Sequence, residues 1–325
     1  MHPLLFSPLY RTYLWGGRRF ESLLGRQLPP GDTFAESWEL VDHGEDQSVV
    51  RAGPLAGATL GQLVREHGPE LMGTAAGCVA FPLLFKLLDA KRDLSVQVHP
   101  DDTRAATLTP PDRGKTEAWY VVDAEPGSRI YAGLREGVTT SDLRAAIGSG
   151  TLETCLHDFE AHPGDCIFIP AGTVHAIGGG LMIAEIQQSS DVTYRLYDWN
   201  RLGPDGQPRQ LHVDAGLEAV TQFGPVTPRR AAAATDGSAQ MSPLVSCDYF
   251  GLDLLTPASE GESLWQVGGD AAPHFLAVLD GSVKLTDSWG LPSLAAGDCV
   301  LLPASIGPQE LRGDAQTRVL HVSLP

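Results

Sequence analysis

Positive charge is what this chain has least of. Its 325 residues hold 23 Lys and Arg against 40 Asp and Glu, a formal net charge of −17. That balance argues against nucleic acid or an anionic membrane surface as a partner. It also sets a condition, because an anionic small molecule would need cations gathered locally against a repulsive field. Cysteine is sparse and unpatterned. The five (Cys78, Cys155, Cys166, Cys247 and Cys299) are odd in number, scattered, and form no C-x-x-C, the usage of a reduced compartment where Cys packs as a small apolar residue. No apolar run approaches the ~18–20 residues of a membrane span. The opening MHPLLFSPLYRTYLWGG has no cationic start and is broken at Pro3, Pro8 and Gly16, so a soluble, cytoplasmic chain is expected. Long helical patterns are also few. With 36 Gly and 24 Pro, the composition points to a turn-rich, mainly β chain long enough for two or three domains.

What is present is a set of short strands with polar groups on one face. Ser95 to His99 reads as a strand, so Gln97 and His99 point one way and Val96 and Val98 the other. Thr116 to Val122 reads as a second, with Lys115, Glu117, Trp119 and Val121 on one face. A third piece, GDCIFIPAGTVHAI from Gly164, is a strand, a tight turn and then His175. Gln97, His99, Glu117 and His175 make a nitrogen and oxygen set suited to a divalent metal. Glu117 lies between apolar neighbours, where a lone carboxylate is costly unless Lys115 or a metal answers for it. Phe81 to Leu88 reads as a buried strand whose one charge is Lys86. Leu181, Ile183, Glu185 and Gln187 share the face of another. The other histidines, His274 and His321 among them, read as solvated or structural.

Helical spacing is limited to Leu60–Met72, with Thr59 as cap and a break at Gly68-Pro69, to Thr140–Leu156, capped by Thr140 or Ser141, and to Leu211–Val220. An internal repeat orders the rest. GDCIFIPA (Gly164–Ala171) returns as GDCVLLPA (Gly297–Ala304), identical at five of eight positions. The first copy is longer by about the length of the 140–156 stretch, read as a small helical insertion. Two strand-turn-strand units of this kind imply a mainly β fold of double cupin or jelly-roll barrels. The composition shift at Pro228–Gln240 separates a catalytic domain (1–230), with helical segments near 59–73 and 140–156, from a C-terminal barrel (241–325). Counting from the shared glycine, His175 corresponds to Pro308, so the second barrel lacks that ligand and reads as a packing partner or lid.

Four runs then occur in order: FKLLDAKRDLSVQVHPDD, GKTEAWYVV, IPAGTVHAI and EIQQSSDVTYRLYDWNR. Together with YLWGG (Tyr13–Gly17) and SWEL (Ser37–Leu40), they resemble the type I mannose-6-phosphate isomerases, in particular the shorter bacterial forms, over roughly the first 220 residues. Those enzymes are zinc-dependent cupins. The resemblance implies one Zn²⁺ on Gln97, His99, Glu117 and His175, with other divalent metals able to use the same ligands. It implies interconversion of mannose 6-phosphate and fructose 6-phosphate through a cis-enediol. Lys115, Glu185 and Asp191 are the candidates for moving the carbon-bound proton, and Arg195 for stabilising the enediolate. Lys86, Lys115 and Arg195 are the candidates for holding the phosphate. Lys86 could instead serve only to pair a carboxylate, Asp191 to fix Arg195, and Glu185 to orient a ligand. The alternatives for function are an isomerase of another sugar phosphate and a non-catalytic sugar-phosphate binder; the state of assembly is left open.

Overall fold

A computed structural model describes residues 1–203, 206–232, 237–286 and 290–325; residues 233–236 of the expected linker lie outside that set. Each half of the chain is a pair of facing sheets whose strands all pair antiparallel. In the first half the larger sheet runs Cys166–Ile169, Glu117–Ala124, Leu181–Gln188, Leu83–Ala90, Glu36–Leu40, Leu9–Arg11. The facing sheet runs Leu156–Glu160, Arg129–Leu134, His175–Ile177, Val96–Val98, Tyr194–Tyr197. The second half repeats the plan. Its larger sheet is Cys299–Leu302, His274–Asp280, Arg318–Ser323, Gly251–Thr256, Gln240–Ser246, and its smaller one Ser263–Val267, Gln309–Gly313, Ser282–Leu285, Leu294–Ala295. The fold is the expected mainly β double jelly roll.

Strand alternation explains how the layers meet. Leu88, Trp119, Val121, Ile183 and Ile167 fill the interior of the first pair of sheets. The opposite face of the same strands carries Phe85, Leu87, Ala118 and Ala184, which pack with Phe275, Ala277, Leu301 and Leu320 of the second half. Phe85 and Phe275 meet with centroids 4.9 Å apart, each burial worth roughly 1.5–3 kcal/mol. The N-terminus adds a further tie, since Leu4 exchanges backbone hydrogen bonds with Leu301. We infer two units, 1–230 and 241–325, with one core held in common.

The helices follow their local signals. Leu60–Met72 starts at Thr59, which makes a reciprocal capping box with Gln62, and it kinks at His67 just before Gly68-Pro69, because proline has no N–H to donate and clashes with the preceding turn. In the 140–156 stretch the helix is Thr140–Ser149, closed by Gly150 in the left-handed region, with a 3₁₀ turn at Leu152–Cys155. Its cap is Thr139, not Thr140 or Ser141. Thr139 accepts from the Asp142 N–H while the Asp142 carboxylate accepts from the Thr139 N–H. The third expected helix is Val213–Ala219, shorter than the 211–220 stretch. The Gly178–Gly180 run is closely packed: a Cβ on Gly178 would lie 2.3 Å from the Arg129 carbonyl oxygen. No helix among the described residues is long and apolar enough to cross a membrane.

Candidate active site

Three sequence-distant residues converge inside the first pair of sheets. His99, Glu117 and His175 are each at most 1 % exposed, and their ligand atoms lie within 4.8 Å of one another. Register explains the meeting. His175 stands opposite Gln97 across one ladder, and Gln97 stands opposite Arg195 across the next. On the facing sheet Glu117 stands opposite Gln187, and Glu185 lies between Trp119 and Lys86. Both imidazoles are held in one tautomer. His99 Nδ1 donates to the Val192 carbonyl at 2.8 Å and His175 Nδ1 to the Thr173 carbonyl at 2.9 Å, which leaves both Nε2 lone pairs facing Glu117. Burial, and then the neighbouring Lys115, holds His99 below its ordinary pKa; burial and His99 push His175 down to about 3. Both are therefore neutral, the form that binds a metal. Burial by itself would raise the Glu117 carboxyl, but the Lys115 ammonium holds it well below the usual range.

The cluster fits a cation. His175 Nε2 is buried with no hydrogen-bond partner, and Glu117 Oε1 meets Lys115 Nζ at 2.7 Å outside hydrogen-bonding geometry. Orphaned buried acceptors cost on the order of 1–3 kcal/mol each, and a metal ion would satisfy them. Backbone carbonyls on the far ring nitrogens are the usual orienting partners of metal-bound histidine.

A cavity of about 270 Å³ opens beside this cluster. Gln97, Lys115, Lys86, Glu185, Asp191 and Arg195 all line it, so the structure brings together every candidate named from sequence. Their partners differ. Lys86 Nζ lies 3.8 Å from Glu36 and 3.6 Å from Glu185, over the Trp38 ring at 4.9 Å. Glu185 Oε1 accepts from Trp119 Nε1 at 2.9 Å. Burial and the Glu117 charge raise the Glu185 carboxyl to about 7, against the opposing effect of Lys86 and Lys115. Arg195 donates to Ser95 Oγ at 3.3 Å and to the Gln210 carbonyl at 3.0 Å, and has no ion pair among the described residues. Asp191 therefore does not clamp Arg195. Sequence reasoning missed Glu36, Arg209, Tyr13 and Trp15, which also line the cavity. Glu36 was within reach, since alternation along ESWEL puts it on the Trp38 face. Arg209 comes from a loop and carried no signal. Among the described residues, none of those lining the cavity comes from the second half, which packs against the first through the shared core.

Comparison with other proteins gives a consistent picture. Residues 4–127 match the family model described as phosphomannose isomerase type I, catalytic domain. The chain is 35% identical to the probable mannose-6-phosphate isomerase GmuF of Bacillus subtilis, covering 98% of this chain and 99% of that protein. It is equally similar, at 35%, to the mannose-6-phosphate isomerase of Streptococcus mutans over 98% of each. A crystal structure of the mannose 6-phosphate isomerase from Bacillus subtilis superposes with a TM-score of 0.88 at 31% identity, over 99% of both chains.

Proposed function

Since the chain belongs to the type I phosphomannose isomerase family, we propose that it interconverts mannose 6-phosphate and fructose 6-phosphate as a metal-dependent cytoplasmic enzyme. The observation that carries this is the buried His99–Glu117–His175 cluster opening onto a cavity lined by Lys115, Glu185, Asp191 and Arg195. In our reading the ion is zinc, held by His99, Glu117 and His175 with the Gln97 amide oxygen beside them. Bound there, it supplies Lewis-acid stabilisation of negative charge on the substrate oxygens.

The chain's own groups account for the rest of the reaction. A proton leaves C2 of the aldose and returns to C1, and a hydroxyl proton passes from O2 to O1, so no redox partner is needed. Glu185 is the best placed carrier of the carbon-bound proton. Its carboxylate lines the cavity and is fixed by the Trp119 indole and the nearby Lys86, the geometry a general base needs first. Lys86 orients that carboxylate. Lys115 sits 3.3 Å from His99 Nε2 and 2.7 Å from Glu117, where its ammonium serves the oxygen ends of the enediolate. Arg195, with no carboxylate of its own, is the cation free for substrate. Asp191 is left to a sugar hydroxyl.

The deciding experiment is a coupled isomerisation assay on metal-loaded protein. Turnover of mannose 6-phosphate that stops with chelator and returns with zinc is expected. A fully metallated protein that leaves the sugar phosphate unchanged would reject the reading. A panel of other hexose and pentose phosphates tests the substrate, with mannose 6-phosphate expected to give the highest kcat/KM.

A further inference from the structure

Charge around the cavity is unevenly answered. On the inner wall each cation has its own carboxylate: Lys115 pairs with Glu117, and Lys86 lies between Glu36 and Glu185. The outer wall is different. Arg195 has no ion pair among the described residues, and Arg209, delivered by the segment after Pro208, lines the cavity next to it. Asp198 does not line the cavity, yet it holds Arg209 through Nε at 2.7 Å and through Nη2, and also Arg201 through Nη2 at 2.6 Å. Among the described residues one carboxylate thus answers two guanidiniums while Arg195 adds a third. Counted over those residues, that corner carries more positive than negative charge, in a chain whose total is −17.

Two like charges held together need a reason. Arg195 and Arg209 line the same cavity, and Arg195 has no ion pair among the described residues, so an anion between them would relieve their mutual repulsion. The arrangement is also prepared for one. The two-point grip of Asp198 fixes the plane of the Arg209 guanidinium and leaves Nη1 without a protein acceptor among the described residues. Arg195 is steadied by Ser95 and the Gln210 carbonyl, and the Thr193 and Ser95 side chains stand on the same cavity wall. Planar forks held in place suit a phosphate's oxygens better than a mobile ammonium does.

Resting on the isomerase reading, we propose that Arg209 binds the phosphate dianion of the substrate together with Arg195, and so sets the preference for a phosphorylated over a free sugar. Lys86, enclosed by carboxylates, takes no part in that contact.

The test compares Arg209→Ala, Arg209→Lys and Arg201→Ala in the metal-loaded protein. Arg201 shares Asp198 but does not line the cavity, so it reports on any purely structural effect of disturbing that carboxylate. Arg209→Ala should raise KM for mannose 6-phosphate about 10- to 100-fold, the range for one charged hydrogen-bonding group, with kcat within about threefold. Inhibition by inorganic phosphate should weaken in parallel, Arg209→Lys should recover part of both, and metal content should not change. Arg201→Ala should move KM by less than about threefold. The inference is overturned if Arg209→Ala keeps the wild-type KM and phosphate inhibition, or if Arg201→Ala reproduces its defect. Absence of turnover by the wild type would reject the isomerase reading instead; calorimetric titration with inorganic phosphate would then still decide the role of Arg209.

Discussion

The two halves of this protein place polar groups at the same three positions and put them to opposite uses. Aligning the repeated strands Cys166–Ile169 and Cys299–Leu302 makes His274 the counterpart of Glu117, since each pairs with the equivalent residue, Leu302 and Ile169. One strand further, His321 takes the place of Glu185; one more, Asp253 takes that of Lys86. In the second half every member is answered from within. Asp270 contacts His274 Nε2 at 2.8 Å, His274 Nδ1 contacts His321 Nε2 at 2.8 Å, and His321 Nδ1 contacts Asp253 at 2.9 Å. The two rings stack at 10°. The loop bearing Asp270 is tied to the first half, where Thr74 N–H donates to the Ala271 carbonyl. In the first half Glu185 and Lys86 of the corresponding row line a cavity, and Glu117 Oε1 has no hydrogen bond, like the neighbouring His175 Nε2. The same barrel plan serves either end, so reactivity comes from polar atoms left without protein partners.

The sharpest break of this comparison is at the metal cluster. Glu117→Gln or His175→Ala should lower kcat/KM by at least about 10²–10³-fold, together with loss of bound metal measured by elemental analysis. A variant that keeps both metal and rate would remove that residue from the ligand set. The second test concerns what the halves share. Phe275→Ala empties the contact with Phe85 and should cost about 3–5 kcal/mol in urea denaturation. One cooperative transition is expected, and two separated transitions would show that the halves fold apart.

The third prediction concerns the closed row. His274→Gln should leave the isomerase rate within about twofold, because His274 lines no part of the cavity, while lowering stability by about 1–3 kcal/mol. The loss should itself depend on pH. Burial holds His274 below its ordinary pKa of 6.5, with Asp270 and Asp253 opposing and His321 adding to the effect. Between that lowered value and 6.5 the unfolded chain binds more protons than the folded one. The wild type should therefore lose stability as pH falls below 6.5, and the stability gap to the variant should narrow over the same interval. A gap that widens on acidification would contradict the assignment. The smallest effect concerns the insertion that only the first half carries. Thr139→Ala removes a helix cap and should cost about 1 kcal/mol by thermal or urea unfolding, with KM unchanged.

Much of the site was legible because strands alternate. Gln97 with His99, and Lys115 with Glu117 and Trp119, share faces by a period of two, and the GDC repeat marks the doubled β plan. Helix starts with a reciprocal cap were nearly as readable; Thr59 was found, and Thr139 was missed by one residue. The failures have a common cause. His274 and His321 stand 47 residues apart, and nothing near either one signals a neighbour, because their contact depends on how two strands are shifted against each other. Arg209 lies in a loop with no periodicity, and only the surrounding wall shows that its charge faces a cavity.

Residue order by itself determined most strands, the faces they offer and the doubled β plan, since these follow from alternation and local backbone preference. Tertiary structure decided which polar groups are neutralised by a partner and which are left exposed to a ligand. That choice depends on strand register and burial, quantities that exist only once distant segments have packed.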